Sequence, residues 1–383
     1  MNRSPRFDPL APDVLPDPYR VYDRMRRGSP VLWDERLRSW LVTSYAECAR
    51  VLSEVETFGS DPSRIGLDTA TIHRSIQSAD PPAHGRFRRT AQRALHPSTV
   101  ARELIEQRVA ALLGAVGTRG TFDVIHDFAM PLAFQVMTVT LGVRPPDYAT
   151  FVAWSQAIAD SMDFGLRPET EEPGRIARAA MNEYLEVELQ RLRDDRSGGM
   201  LGILVGESSL EVQELINTAR VIVDSSFDVI VRLIGNGVHA LTMNASEIRR
   251  LTNNPNLWRL AVEEFIRFDS PVQAIGRLTV QDTTLASVAL KRGDVVIALI
   301  GAAHRDPLCF AEPGRFDAGR SPNPHLAFGR GIHACLGAWL ARLEVEIAAR
   351  RLVERYPDMR VVTAERRMNA TVRGFERLTV SLT

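Results

Sequence analysis

One cysteine of this chain stands in a loop that glycines bracket. In F-G-R-G-I-H-A-C-L-G, Phe328 to Gly337, Cys335 falls just before a long helical pattern. Gly329 and Gly331 admit positive φ and close backbone approach, and Gly337 withholds a side chain where a flat group can lie against the following helix. Such a loop presents a single thiolate to a metal, with backbone N–H groups aimed at the sulfur. The competing reading, that a lone cysteine is a small buried hydrophobe, fits most cysteines but not this loop context. Other candidates sit on helical patterns. His84 and Arg88 are four apart and share a face, as are Asp228 and Arg232, while Glu264 and Arg267 are three apart.

The elements that must hold these residues are mostly helices. Tyr19 to Arg27 begins a helical pattern, and Ser29 to Asp34 with Ser39 to Thr43 read as a short hairpin. Residues 46–53, 88–95, 101–116 and 127–141 place apolar residues at three and four spacing, with Pro131 kinking or starting the last of them. Arg167 to Gly174 reads as a loop. Alternating β-branched residues return from Thr279 to Val296. This predicts a mainly α chain with small β-sheets, and with no linker or repeat in 383 residues it predicts a single domain over 1–383. The 47 Lys+Arg balance the 47 Asp+Glu, so net charge suggests neither nucleic acid nor an anionic membrane. The N-terminal stretch has no apolar run, which predicts neither signal peptide nor membrane anchor and a cytoplasmic location. Cys48, Cys309 and Cys335 form no disulfide framework and suit a reducing compartment.

The loop is similar to the haem-binding signature of the cytochrome P-450 superfamily, F-x-x-G-x-x-x-C-x-G, at every defined position. The resemblance extends to D-P-P-A-H-G-R-F-R-R (Asp80 to Arg89), L-I-G-N-G (Leu233 to Gly237), E-E-F-I-R (Glu263 to Arg267), G-A-A-H-R-D-P (Gly301 to Pro307) and F-A-E-P-G-R-F (Phe310 to Phe316). These motifs in this order resemble the soluble bacterial branch. The resemblance implies the triangular haem-thiolate fold, haem b as cofactor and Cys335 as the iron ligand. It nominates His84, Arg88, Arg277 and His333 for the haem propionates, whose buried charge needs partners. Phe328 is expected to pack against the porphyrin and sulfur side, and Gly337 to make room for the ring. Glu264 and Arg267 are read either as a weak surface pair or, by the resemblance, as a buried triad completed by Arg315 of P-G-R-F.

Counting back from L-I-G-N-G, the family's [A/G]-G-x-[D/E]-T-T stretch falls on Ser225 to Ile230, in a helix expected over Val221 to Leu241. The acid is kept as Asp228. Both threonines are gone, and Val229 has the shape of the first without its hydroxyl. Three readings stay open: a water or substrate hydroxyl completes a proton relay ending at Asp228, Ser225 supplies a replacement hydroxyl, or the enzyme couples, cyclises or desaturates its substrate without inserting oxygen. Asp228 is equally read as an i,i+4 salt bridge to Arg232, and the two serines suggest that the helix kink is retained. Pocket walls are expected from 60–77, 151–168, 223–228, 272–275 and the segment around Arg373, with Ile72, His73, Phe164, Phe227 and Gln273 among them. The function implied is a monooxygenase or oxidase of bacterial secondary metabolism, a monomer acting on a small organic substrate with ferredoxin and ferredoxin reductase as electron donors. A coupling oxidase and a non-catalytic haem sensor are the alternatives.

Overall fold

A computed structural model of the chain describes residues 8–67, 74–95, 102–117, 120–163, 165–195, 198–206 and 210–382. The chain starts on the sheet side. Helix α1 (Tyr19–Gly28) buries Val21, Tyr22 and Met25, and the strands β1 (Val31–Asp34) and β2 (Ser39–Val42) pair antiparallel as expected. Trp33 stands opposite Trp40, their rings 5.3 Å apart in an edge contact. Helix α2 (Tyr45–Ser53) begins at Ser44, whose hydroxyl accepts from the Glu47 amide, and β3 (Phe58–Gly59) follows.

The helical side comes next: α3 (Ala83–Ala94), α4 (Arg102–Val116), the short β4 (Thr121–Asp123), α5 (Met130–Leu141), α6 (Tyr148–Asp160), α7 (Glu171–Asp195) and α8 (Met200–Gly206). Ile105, Val109, Leu113 and Val116 of α4 are the buried stripe its periodicity predicts. A π-helical turn, Val124–Ala129, leads into α5, so Pro131 begins that helix instead of kinking one. Residues 124–141 are long and apolar enough to cross a membrane, yet 72% of the run is buried in the core, which makes it a core segment here. The expected loop Arg167 to Gly174 is shorter than predicted. A 3₁₀ turn covers Pro168–Thr170 and α7 starts at Glu171, because Pro173 sits in the first turn, where its missing N–H leaves no bond unmade.

Helix α9 (Val212–Thr242) runs about 46 Å at ~1.5 Å per residue, begins nine residues earlier than predicted, and opens with a capping box between Glu211 and Glu214. It is one uninterrupted α-helix through Ser225 to Val229, so the expected kink is not present as a break in the helix. Then come α10 (Ala245–Asn253), α11 (Trp258–Phe268), β5 (Ala274–Thr279), β6 (Thr283–Leu285), β7 (Val288–Leu290), β8 (Val295–Leu299), α12 (Ile300–Ala303), α13 (Ala338–Arg355), β9 (Arg360–Arg366) and β10 (Phe375–Ser381). The main sheet has the order β1-β2-β8-β5-β3, with β2 and β8 parallel and its other pairings antiparallel; β4-β10-β9 and β6-β7 are separate sheets. The largest core gathers buried residues of α4, α5, α7, α8, α9, α11 and α13, while two smaller clusters lie against the main sheet.

Gly142 ends α5 at φ +78, and a Cβ there would stand 3.0 Å from the Cα of Gly199, itself at φ +90. Gly142→Ala should therefore combine left-handed strain of ~1–2 kcal/mol with a backbone clash. Denaturant unfolding is expected to show a loss of at least that size, and an unchanged midpoint would contradict the close approach.

Candidate functional site

Cys335 lies two residues past the 3₁₀ turn Gly331–His333 and three before α13 begins. Gly329 at φ +67 and Gly331 at φ +71 carry the reversal, and a Cβ on Gly331 would meet the α2 backbone, 3.0 Å from the Leu52 carbonyl. The Cys335 amide closes the loop on the Phe328 carbonyl at 2.7 Å. The residue is exposed, yet burial pushes its thiol pKa up, while the amides of Gly337 and Ala338 and the charges of Arg88 and Arg342 pull it down. Both observations describe a sulfur at the floor of a recess, open on one side and walled by protein on the others. The two amides belong to the first turn of α13, where N–H groups have no partner within the helix and are turned to the sulfur, an arrangement that favours a thiolate. Cys48, by contrast, is fully buried against the Val42 carbonyl at 3.3 Å, and burial raises its thiol; burial also raises Cys309. Among the described residues no group of three or more His, Cys, Asp or Glu could hold a metal ion.

The sequence-nominated cations converge on this loop. Helix α3 brings Arg88 Nη1 to 2.5 Å of the Ala334 carbonyl, and the His84 and His333 rings meet edge-on at 4.6 Å. His333 Nε2 stands 3.5 Å from Asp80 Oδ1, at the limit of a hydrogen bond. Burial acts to raise Asp80, but bonds from His333, the Ser60 and Asp61 amides and Arg64 outweigh it and hold the carboxyl at about 2. Arg277 on β5 feels the Asp80 charge and bonds the Gly276 carbonyl at 2.8 Å. Among the described residues, the buried Nε2 of His84 lacks a bonded partner, that of His333 has only its 3.5 Å approach to Asp80, and neither Arg88 nor Arg277 has a carboxylate in contact. A Cβ on Gly337 would meet nothing within 4 Å. A haem fits this set: His84, Arg88, Arg277 and His333 would hold its propionates, and the absent side chain at Gly337 would leave room for a flat group. Phe328 lies partly buried beneath, with the Arg342 guanidinium 4.5 Å from its ring centroid. Arg342 and His325 both hold Glu263, at 2.6 and 2.9 Å; against the upward push of burial they keep that carboxyl at about 2.

The E-x-x-R pair is buried, not a surface pair. Arg267 forks onto Glu264 with two 2.7 Å bonds, and both side chains are 0% exposed. The third member differs from the expectation. Arg315 is 58% exposed and pairs with Glu312, offering only its carbonyl to the network. Arg320, five residues on, places its Nε 3.1 Å from both Glu264 oxygens. The reason is geometric: the turn at 312–315 directs the Arg315 side chain outward, while Asp317 and Asn323 also donate to Glu264 and draw the following segment inward.

On α9, Asp228 accepts two bonds from buried Arg232, at 2.6 and 2.9 Å, so the i,i+4 reading of Asp228 is the one present. Ser225 Oγ bonds the Val221 carbonyl at 2.5 Å and Val229 is half-buried. Sequence reasoning passed over Asp224. Its Oδ1 is buried without a bonded partner among the described residues, its Oδ2 is 3.5 Å from Arg220, and burial, opposed by Arg220, raises it to about 7. The signal was present as one acid in an apolar run. Of the expected pocket walls, Phe227 packs on Phe151 at 5.0 Å, but Gln273 turns to Ser270 and Tyr22, and Arg373 to Asp269, both inside the protein. Ile72, His73 and Phe164 lie outside the described residues.

Arg320→Leu would strand part of the Glu264 charge in a dry site, a change expected to cost about 3 kcal/mol or more. Arg315→Leu should stay within ~0.5 kcal/mol. Thermal unfolding of the two variants tests the assignment, and equal losses would refute it.

The family model described as Cytochrome P450 matches residues 251–366. The biotin biosynthesis cytochrome P450 of Bacillus subtilis (strain 168) is 32% identical over 365 residues, spanning 92% of this chain and 92% of that protein. Cytochrome P450 monooxygenase PikC of Streptomyces venezuelae is 31% identical over 393 residues, 97% of this chain and 92% of its own. Among solved structures, P450BioI in complex with hexadec-9Z-enoic acid ligated acyl carrier protein has a TM-score of 0.91 at 30% identity, covering 97% of this chain and 100% of that one. CYP109E1 from Bacillus megaterium in complex with testosterone gives 0.89 at 28%, covering 96% and 98%. With a glycine-bracketed thiol under helix N–H groups and likeness over nine-tenths of its length, the chain belongs to the bacterial branch of the cytochrome P450 family, oxidoreductases that hold haem through a cysteine thiolate.

Proposed function

We propose that residues 1–383 form one haem-thiolate domain, monomeric and cytoplasmic, that oxidises a small organic substrate of bacterial secondary metabolism with electrons from a ferredoxin and a ferredoxin reductase. The observation that carries this reading is the Cys335 thiol beneath the Gly337 and Ala338 amides, beside cations lacking carboxylate partners among the described residues. Relatives named for biotin and polyketide biosynthesis support the metabolic setting. Haem held by a thiolate supplies the redox and dioxygen chemistry. The chain's own residues divide the remaining work. Cys335 would ligate the haem, with the sulfur's charge stabilised by the α13 amides; His84, Arg88, Arg277 and His333 would take its propionates; Phe328 and Gly337 would shape the recess beside the thiol. Glu264, Arg267 and Arg320 hold the loop and take no part in the chemistry.

A second reading, coupling or cyclisation without oxygen insertion, is favoured by the roof helix. Val229 has no hydroxyl, Asp228 is tied to Arg232 and Ser225 to the Val221 carbonyl, so none of the three is a free proton donor at this position. Asp224 is the nearby acid that exchanges a proton near neutrality, and we assign to it the proton supply that remains.

Reduced protein under carbon monoxide is expected to show the red-shifted Soret band of thiolate-ligated haem, lost in Cys335→Ser and kept in Cys48→Ser and Cys309→Ser. Arg88→Leu and Arg277→Leu should each lose haem on warming faster than Arg360→Leu; equal loss in all three would remove the propionate assignment. Because the raised pKa keeps Asp224 protonated below about 7 and empties it above, the share of electrons lost as peroxide should climb as pH passes that value. Asp224→Asn should abolish that pH dependence. Val229→Thr should divert product toward hydroxylation if the native reaction is coupling, and only change rate and peroxide leak if it is oxygen insertion.

A further inference from the structure

A cleft of about 450 Å³ opens between α1, the C-terminal end of α9, the end of α11 and β9. It shares no lining residue with the Cys335 site. Five arginines and three aspartates line it, and their distribution is uneven. At the rim the charges cancel: Arg20 is 3.6 Å from Asp17 and Arg26 is 2.7 Å from Asp23. At the floor they do not. Arg366 and Arg373 both sit 2.7 Å from Asp269, and Arg305 stands beside them, so three guanidinium groups, two of them buried and that of Arg366 12% exposed, share one carboxylate.

The N–H groups of these arginines are largely occupied by carbonyl oxygens. Arg373 bonds the Leu15 and Pro16 carbonyls, Arg305 those of Phe268 and Pro313, and Arg366 the Asn236 amide oxygen. Carbonyls satisfy donors but do not cancel charge, and uncompensated buried charge is costly. The field shows in its neighbour: burial, then the Arg366 charge, holds the His239 imidazole down at about 4. Arg305 is 9% exposed, its guanidinium fixed between the rings of Tyr19 and Phe268 at 4.1 and 4.2 Å, and its buried Nε has no bonded partner among the described residues.

We propose that this cleft binds a small phosphate monoester, with Arg305 and Arg366 as its cationic floor and Arg20 at its mouth. A phosphoryl group carries close to the charge that the floor leaves uncompensated and offers the oxygens that arginine recognises. The volume suits a molecule of a few carbons beside that group. The Tyr19 and Phe268 rings provide its apolar wall.

The test is calorimetric titration of the haem-loaded full chain with inorganic phosphate and with glycerol 3-phosphate at fixed ionic strength, with sulfate and chloride alongside. Saturable binding of one phosphate compound above sulfate and chloride is expected, weakened roughly tenfold in Arg305→Gln, the loss of a charge-assisted bond. Arg20→Glu, on a side chain 89% exposed and so harmless to folding, should weaken it roughly threefold. Tighter binding of the ester than of inorganic phosphate supports the monoester, and tighter binding of inorganic phosphate overturns it in favour of the free anion. Absence of saturable binding, affinity no better than sulfate, or binding untouched by both substitutions overturns the proposal, and Arg20→Glu alone decides it if Arg305→Gln does not fold.

Discussion

The carboxylate of Glu264 is the constraint on which the architecture around Cys335 depends. It is wholly buried and receives Arg267 twice, Arg320, the Asp317 amide and the Asn323 side chain. A charge so placed is stable only while every donor is in position. Arg267 reaches on to the carbonyls of His304, Pro313 and Arg315, so one ion pair on α11 gathers the irregular chain between α12 and the cysteine loop. His304 extends the link: its Nε2 accepts the Leu326 amide at 2.8 Å, and burial keeps its imidazole neutral, as that acceptor role requires. An irregular segment without a sheet ladder or helix is thereby made rigid enough to hold one sulfur in place.

Around the thiol, charge is arranged in two layers. Glu263, Arg342 and His325 form a paired layer under Phe328, where carboxylate and cation neutralise each other. On the other side of the loop, His84, Arg277 and His333 share Asp80, while Arg88 bonds only the Ala334 carbonyl among the described residues. A paired layer is structural support; an unpaired one is a site for anions. The same criterion, applied far from Cys335, singles out the Arg305 cleft.

Helix α9 is fixed by a different device. Asp228 and Arg232 spend their charges on each other, and Arg232 anchors to the Val372 carbonyl at 2.9 Å, so this turn of α9 is tied to the C-terminal segment. Asn236 makes a second tie, donating to the carbonyls of Asp269 and Arg373. Helix α9 is therefore held by its polar residues, and Asp224, one turn earlier, is left with an oxygen unpartnered among the described residues and a raised affinity for protons.

Local rules carried much of this into the sequence. Cys335 with its glycines, the hairpin at β1 and β2, the stripe of α4 and the pairing of Asp228 with Arg232 follow from spacing, because φ preference, side-chain periodicity and i,i+4 proximity act within a few residues. Long-range choices were not legible. Which arginine completes the Glu264 network depended on how the turn at 312–315 aims two side chains five residues apart, and Arg320 won over the motif's own Arg315. Gln273 and Arg373 lie in segments expected to wall a pocket, yet turn into the core because their partners, Tyr22 and Asp269, arrive from distant parts of the chain. The surplus of guanidinium groups beside Asp269 likewise joins residues 269, 305, 366 and 373. Sequence determined the local conformations and the single thiolate; tertiary structure alone decided which charges meet, because burial and pairing of charge are properties of surfaces brought together from afar.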